Sequence, residues 1–269
     1  MVLAKELTAV IPTLLKDENM LKNLLDSLCL DNSVKEIIVI NNTTDDFEHP
    51  NPKVRIISEG KNLYVNPSWN LGVREAKTDY VALINDDLVI PDNICSVILE
   101  KMDDSIGIAG IDASSVIETK DVDNNVILDA NSVKLDNAKN ISFKPITFRP
   151  QKFGVFMLFK KSNYVEIPDE LKIFWGDDWI IYQARKLGKT NITVNGIKII
   201  HLGSLSSKAF RTWANNEKRL YLNNILPAYK RILGKITTCT PDMWFILGFI
   251  LSIFIKPNSR LVYLSNSNI

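Results

Sequence analysis

Residues 80–87 read Tyr-Val-Ala-Leu-Ile-Asn-Asp-Asp, an apolar run that ends in an amide and two adjacent carboxylates. The apolar part predicts a buried strand, and the acidic part then lies at its carboxyl end, where open α/β sheets place their ligands. Two neighbouring carboxylates beside a dry strand repel each other unless water, hydrogen bonds or a cation neutralise them. Because a hard divalent ion that carries phosphates is one such neutraliser, this stretch predicts an enzyme site for a nucleotide or phosphorylated substrate.

Apolar strands alternate with helices on both sides of this stretch. Strands that are apolar throughout, joined to helices by short connections, are typical of a parallel sheet with helices on both faces, so the predicted fold class is α/β. Pro67 fits the first position of one helix. The predicted strands are 7–12, 36–40, 54–58 and 79–84, and the predicted helices are 17–30, 66–76 and 91–102.

The pattern changes at about residue 107, where short strand-like runs stand among Asp, Asn and Lys. This region predicts a mixed-sheet excursion in place of another strand–helix unit. The runs are 126–128 and 141–143, and after them come an apolar run at 153–159, a helix at 177–187, a strand or strand pair at 192–200 and an amphipathic helix at 206–230.

Composition narrows the function classes. The net charge of the 269 residues is +1, which gives no field that would favour nucleic acid. The cysteines Cys29, Cys95 and Cys239 lie far apart, so neither a disulfide framework nor a zinc signature is expected, and a reducing, cytoplasmic compartment is the default.

Residues 243–255 (MWFILGFILSIFI) are almost wholly apolar. The run is shorter than the roughly 20 residues that a spanning helix needs. Three alternatives stay open: a buried terminal helix, a dimer interface, or an interfacial helix that attaches the protein to the inner face of a membrane. Trp244, Lys256 and Arg260 at the edges fit the interfacial helix, and we expect residues 241–257 to contact either a membrane surface or a second copy.

Acidic and imidazole groups follow three of the apolar runs, as Asp86-Asp87, Asp177-Asp178 and His201. Any one of these is a weak signal, because acidic residues also form ordinary turns. Together, two carboxylates and an imidazole suit Mn²⁺ or Mg²⁺ that also binds diphosphate oxygens. A separate carboxylate can then act as general base for an incoming hydroxyl.

The chain resembles the family-two inverting glycosyltransferases in the order and spacing of its motifs over about residues 5 to 207. The matching segments are Val10–Thr13, Ile37–Asn42, Asn62 with Asn70 and Gly72, Tyr80–Asp87, Phe153–Lys161, Trp175–Asp178 and His201. The resemblance implies a GT-A fold, with a mixed, mostly parallel sheet between helices and a Rossmann-like nucleotide-binding half. It implies a transferase domain at 1–207, divided into a nucleotide-sugar half (1–105) and an acceptor half (106–207), and a helical extension at 208–269.

The resemblance also implies roles for individual residues. Asp178 is implied as the base that deprotonates the acceptor hydroxyl, with Asp177 as the alternative. Mn²⁺ or Mg²⁺ is implied at Asp87, Asp86 and His201, and acceptor contacts at Trp175 and Trp179. The implied donor-binding residues are Pro12, Thr13, Asn41, Asn42, Asn62, Asn70, Asn85 and Asp86.

Three positions depart from the family pattern. Asn85 and Asn41 replace aspartates, and Asp177 replaces a glutamate. Since the carbonyl of Asn41 can still accept a hydrogen bond from a base, UDP- or dTDP-linked sugars are mildly favoured as donors. The expected activity is hexosyl or deoxyhexosyl transfer to a glycan or lipid-linked acceptor, as in polysaccharide biosynthesis.

Two other functions remain as alternatives. Because three motif positions depart from the family pattern, the chain also fits a non-catalytic carbohydrate- or membrane-binding module on a degenerate transferase fold. A sugar nucleotidyltransferase is less favoured, because residues 14–17 are not the Gly-rich loop that handles a triphosphate.

Overall fold

A computed structural model describes residues 5–118, 141–201 and 211–222 of the chain. The predicted strand 126–128, the boundary at residues 207 and 208, and the apolar segment 243–255 lie outside the described residues and stay predictions. Nearly all of the described chain belongs to one compact unit that ends at Tyr221. No helix in this part is long and apolar enough to cross a membrane.

The main sheet confirms the predicted α/β class. Its eight strands are β1 (Leu7–Thr13), β2 (Val34–Asn41), β3 (Val54–Ser58), β4 (Tyr80–Ile84), β6 (Ile106–Ile111), β8 (Ser142–Ile146), β9 (Phe156–Lys160) and β10 (Thr190–Asn195). They lie in the order β3-β2-β1-β4-β9-β6-β10-β8. The first four strands of this order are parallel, β9 runs antiparallel to both its neighbours, β6 and β10 are parallel, and β8 is an antiparallel edge.

A smaller three-stranded sheet lies beside it in the order β5-β11-β7. Its strands are β5 (Leu88–Val89), β7 (Val116–Glu118) and β11 (Ile199–His201). Strand β5 directly follows Asn85-Asp86-Asp87, which we call the acidic run, and β11 ends at His201. This small sheet therefore brings the two predicted metal-binding segments together.

Helices cover both faces of the main sheet. Helices α1 (Glu18–Leu30) and α3 (Ile94–Lys101) pack on the face that carries the odd-numbered residues of β1. Helix α2 (Val65–Glu75) packs from the other face, where Gly72 lies against Val10. Helix α2 begins before Pro67, so the predicted first helical position for that proline is wrong. Helix α4 (Gly176–Lys186) packs against β6 and β10, and α5 (Arg211–Leu220) is the last described helix.

The central strand β6 was not predicted from the sequence. Its sequence IGIAGI contains two glycines, which weaken a strand pattern. The structure requires them to be small, because a Cβ at Gly110 would lie 2.4 Å from Cε2 of Phe153, and a Cβ at Gly107 would lie 2.5 Å from Oδ1 of Asn191. The packing of neighbouring elements therefore selects residues that strand propensity disfavours.

We expect Gly110→Ala to lower the free energy of unfolding by about 1–3 kcal/mol, because the added methyl group overpacks the core against Phe153. Urea denaturation measures the loss. The matched control is the double variant Gly110→Ala/Phe153→Leu, which makes room for the methyl group and should lose less than the sum of the two single variants. Strictly additive losses would show that the Phe153 ring is not what excludes a side chain at residue 110.

Candidate active site at the carboxyl edge of the sheet

The carboxyl ends of β1, β2, β3 and β4 meet at one edge of the sheet. Thr13 is in register with Asn41, and Asn41 with Ser58. Antiparallel β9 brings its amino end to the same edge, where the backbone N–H of Asn85 donates to the carbonyl of Val155 at 3.0 Å. The candidate site is built on this edge.

Asp86 ties the end of β4 to the loop after β1. Its Oδ2 accepts a hydrogen bond from Oγ1 of Thr13 at 2.6 Å, and the same hydroxyl accepts from the backbone N–H of Leu15 at 2.9 Å. Burial raises the pKa of Asp86, and the charge of Asp87 adds to this, while the Thr13 hydrogen bond opposes it. Asp86 is therefore bonded to Thr13, next to the partly buried Pro12, and its role as a metal ligand stays a prediction.

Asp87 and His201 form a close pair. The antiparallel pairing of β5 with β11 sets Leu88 opposite His201, which places the imidazole beside the residue that precedes Leu88. Nε2 of His201 lies 3.2 Å from Oδ2 of Asp87. The small sheet thus fixes this contact through backbone hydrogen bonds.

The Asp87–His201 pair leaves buried polar atoms without partners. Oδ1 of Asp87 and both ring nitrogens of His201 are buried and have no hydrogen-bond partner among the residues that the structure describes. Such atoms are costly unless something binds them, and a carboxylate oxygen with an imidazole nitrogen is a donor set that suits Mn²⁺ or Mg²⁺. No group of three such ligands occurs within the described ranges, so the residues described there offer a cation this pair.

His49, the other histidine of the chain, differs from His201 in its surroundings. Nε2 of His49 also lies 3.2 Å from a carboxylate, Oδ1 of Asp26, whose side chain is 70 % exposed. Nδ1 of His49 accepts from the backbone N–H of Asn51 at 3.3 Å. Since His49 has a backbone partner and its carboxylate faces water, it has the features of a structural histidine, whereas His201 does not.

Asn41, at the end of β2, is bonded to the turn that follows it. Its Oδ1 accepts from the backbone N–H and the hydroxyl of Thr43 at 3.0 and 2.8 Å, and its Nδ2 donates to the carbonyl of Asp45 at 2.7 Å. Both lone pairs of the amide oxygen are therefore engaged. A base contact through the carbonyl oxygen of Asn41, which stays a prediction, requires one of its two hydrogen bonds to Thr43 to break.

Three more of the predicted donor-binding asparagines hold loops. Oδ1 of Asn42 accepts from the backbone N–H of Leu63 at 2.9 Å, and Oδ1 of Asn62 accepts from that of Tyr64 at 2.8 Å. Asn70 is buried and exchanges two hydrogen bonds with the backbone of Ile167, at 2.8 and 2.9 Å. These amides position the segments 62–64 and 164–167.

Asp177 and Asp178, which we call the acid pair, lie in the first turn of α4. Carboxylates there interact favourably with the helix dipole. Trp175 precedes the helix in a left-handed conformation, with φ at 65°. Nε of Arg149 lies 3.3 Å from Oδ2 of Asp177 and 2.9 Å from Oδ2 of Asp178. Arg149 was missed in the sequence, where nothing marks it as a partner of two distant carboxylates.

The two residues of the acid pair have different surroundings. Burial raises the pKa of Asp178 to about 7, with a further contribution from the charge of Asp177, while Arg149 opposes the rise. Asp177 packs against the turn that precedes β9, because a Cβ at Gly154 would lie 2.6 Å from its Oδ2. Since Gly154 is next to Val155, which binds Asn85, the acid pair and the acidic run lie at the same edge.

The two predicted acceptor tryptophans differ in their surroundings. Trp175 stacks on Tyr221, with ring centroids 5.4 Å apart and an angle of 24°. Nε1 of Trp179 donates to the carbonyls of Val165 and Glu166 at 3.1 and 2.9 Å. Trp179 therefore anchors the segment before α4, and a stacking role for either ring on a sugar stays a prediction.

Comparisons with known proteins agree with this architecture. The model of a family described as glycosyl transferase family 2 matches residues 8–160. No curated protein matches the chain. Among solved structures, S. aureus TarS 1–349 matches with a TM-score of 0.55 and 15 % identity, over 84 % of this chain and 68 % of that chain. At this identity the likeness shows the fold, which is similar to a GT-A glycosyltransferase.

Proposed function

The chain belongs to glycosyl transferase family 2 and is a glycosyltransferase, and from this premise we propose that it is a metal-dependent, inverting enzyme. It moves a hexosyl or deoxyhexosyl group from a nucleotide-diphosphate donor to a hydroxyl of a glycan or lipid-linked acceptor. One observation carries the proposal: the Asp87–His201 pair, whose buried atoms lack hydrogen-bond partners in the described part of the chain, and the Arg149-bound acid pair lie at the same edge of the sheet.

Asp87 and His201 would hold the divalent cation, Mn²⁺ or Mg²⁺. Their unpartnered atoms fit such an ion, and diphosphate oxygens or water would complete its coordination. When bound, the cation supplies positive charge for the negative charge that develops on the leaving nucleoside diphosphate. Asp86 accepts a hydrogen bond from Thr13 and would thereby hold the loop after β1 beside the bound donor.

A carboxylate of the acid pair accepts the proton of the acceptor hydroxyl as that oxygen attacks the anomeric carbon. Attack from the face opposite the diphosphate inverts the configuration. Asp178 is the first candidate for this base, because a pKa of about 7 matches proton transfer near neutral pH. Asp177 is the alternative, which is supported by its contact with Gly154, the neighbour of Val155, whose carbonyl accepts from Asn85.

A screen of nucleotide-sugars tests the proposal directly. The full chain, with Mn²⁺ or Mg²⁺ and a panel of UDP-, dTDP- and GDP-sugars, should release nucleoside diphosphate from at least one donor. The same donor should raise the thermal midpoint, because a ligand at 100 times its Kd stabilises a protein by about 2.7 kcal/mol. Binding of glycans in calorimetry without any metal-dependent nucleotide binding would instead support the non-catalytic module.

A further inference from the structure

Helix α5 contacts the loop that leads into the acid pair, and it buries a carboxylate there. Glu217 is 4 % exposed. Its Oε1 accepts from the backbone N–H of Lys172 at 3.1 Å, and its Oε2 accepts from those of Ile173 and Phe174 at 3.2 and 2.7 Å. Consecutive backbone N–H groups that converge on one anion fix the conformation of their segment. Glu217 therefore holds residues 172–174, which we call the base loop.

The base loop and Leu171, which directly precedes it, are also bonded through their carbonyls. Nδ2 of Asn66, on α2, donates to the carbonyls of Leu171 and Phe174, both at 3.1 Å. The backbone N–H of Asn66 donates to the carbonyl of Lys172 at 3.0 Å. Since Glu217 takes the N–H groups and Asn66 takes carbonyls, the base loop is clamped between α5 and α2.

On either side of Glu217 along α5 and its continuation, an aromatic side chain also contacts the rest of the fold. Trp213, Glu217 and Tyr221 are spaced by four residues, which places them along one side of the helix and its continuation. The Trp213 ring lies 5.3 Å from that of Tyr64, directly before α2. Tyr221 stacks on Trp175, directly after the base loop. The same side of α5 thus contacts the residues that begin α2 and α4.

We propose that Glu217 is a positioning residue for glycosyl transfer, which holds the acid pair in its reactive position by clamping the base loop. The inference rests on the proposed function. Asp177 and Asp178 follow the base loop within a single turn of helix, and Trp175, which lies between the loop and the acid pair, has a left-handed conformation. A shift of the loop is therefore passed directly to both carboxylates. Within the described residues, the hydrogen bonds of the Glu217 carboxylate go to the base loop and not to the Asp87–His201 pair, so the loss of Glu217 should spare donor binding.

The test compares Glu217→Gln, which keeps the size of the side chain but removes its charge, with Glu217→Ala and with the control Asn216→Ala, an exposed neighbour on α5. We expect Glu217→Gln to lower kcat by about 10- to 100-fold, as a displacement of about 1 Å does, and to leave the donor KM unchanged. Hydrogen exchange of the amides of residues 172–174 should be slow in the wild-type chain and faster in Glu217→Gln, whereas Asn216→Ala should match the wild type in both measurements.

Each outcome decides a separate point. Fast exchange of these amides in the wild-type chain, or no change in Glu217→Gln, overturns the clamp, and this holds even if Glu217→Ala does not fold. Faster exchange with an unchanged kcat, or a raised donor KM with kcat unchanged, overturns the positioning role. If the wild-type chain turns over no donor in the panel, the proposed function fails, while the exchange measurement still decides whether Glu217 holds the loop.

Discussion

Replacement of Asp178 by asparagine is expected to lower kcat by about 10²- to 10⁴-fold, the usual contribution of a general base. The amide keeps the shape of the side chain but cannot accept the acceptor proton. Arg149 retains Asp177 as an ionic partner in the variant, so the fold should persist. Binding of UDP with Mn²⁺ should be unchanged, because Asp178 lies in the acid pair and not in the Asp87–His201 pair. Asp169→Asn, an exposed acid in the same region, is the matched control.

If Asp178 is the base, the direction in which kcat/KM changes with pH is also predicted. A base must be deprotonated to act, so kcat/KM should rise with pH and level off above the pKa of Asp178, about 7. Asp177→Asn removes a negative charge that raises this pKa, and should move the rising limb to lower pH. Arg149→Gln removes a positive charge that lowers it, and should move the limb to higher pH.

These variants also decide between the two candidate bases. If Asp177→Asn abolishes turnover and Asp178→Asn retains both turnover and the rising limb, Asp177 is the base and the raised pKa of Asp178 has no role in proton transfer. If both variants turn over donor as the wild type does, the acid pair is not the catalytic base. Because the two carboxylates interact, the pKa read from the rising limb belongs to the pair and not to one residue. The shifts of this limb between variants therefore identify which carboxylate is the base.

The parts of the fold that were predicted correctly share a physical cause. Strands β1, β2 and β4 are buried over most of their length, so each contains an apolar run that stands out from the polar connections. These runs are Ala9–Ile11, Ile37–Ile40 and Tyr80–Ile84. Strand β6 is equally central, yet Gly107 and Gly110 remove that signal because Asn191 and Phe153 occupy the space that side chains would need. A requirement set by distant residues cannot be seen in the local pattern.

The same distinction applies to the site. The family resemblance implied that Asp87 and His201 act together, and the structure places them 3.2 Å apart. The sequence does not show that Asp86 turns to Thr13, because adjacent residues at a strand end can point in either direction. It also gives no sign of Glu217, since the groups that Glu217 binds are backbone N–H groups, which every residue except proline carries.

Replacement of Asp87 by asparagine is expected to abolish metal-dependent donor binding. A carboxylate is the charged ligand that a hard cation requires. Its loss should weaken Mn²⁺ binding by more than the roughly 10- to 100-fold that removal of an outer-shell partner costs. Replacement of His201 by glutamine should weaken it in the same direction. Electron paramagnetic resonance of free Mn²⁺, titrated with protein in the presence of UDP, measures the affinity without turnover.

The stability of the same variants separates a metal site from a structural ion pair. Asp87 and His201 hold buried atoms that find no hydrogen-bond partner within residues 5–118, 141–201 and 211–222. In the metal-free protein Asp87→Asn should therefore leave the thermal midpoint unchanged or raise it, as at sites that sacrifice stability for function. Stabilisation by Mn²⁺ and UDP should disappear. Asp26→Asn, which changes the exposed partner of His49, should retain that stabilisation in full. If Asp87→Asn instead lowers the midpoint and still binds Mn²⁺ as the wild type does, the pair is structural, and the cation binds elsewhere.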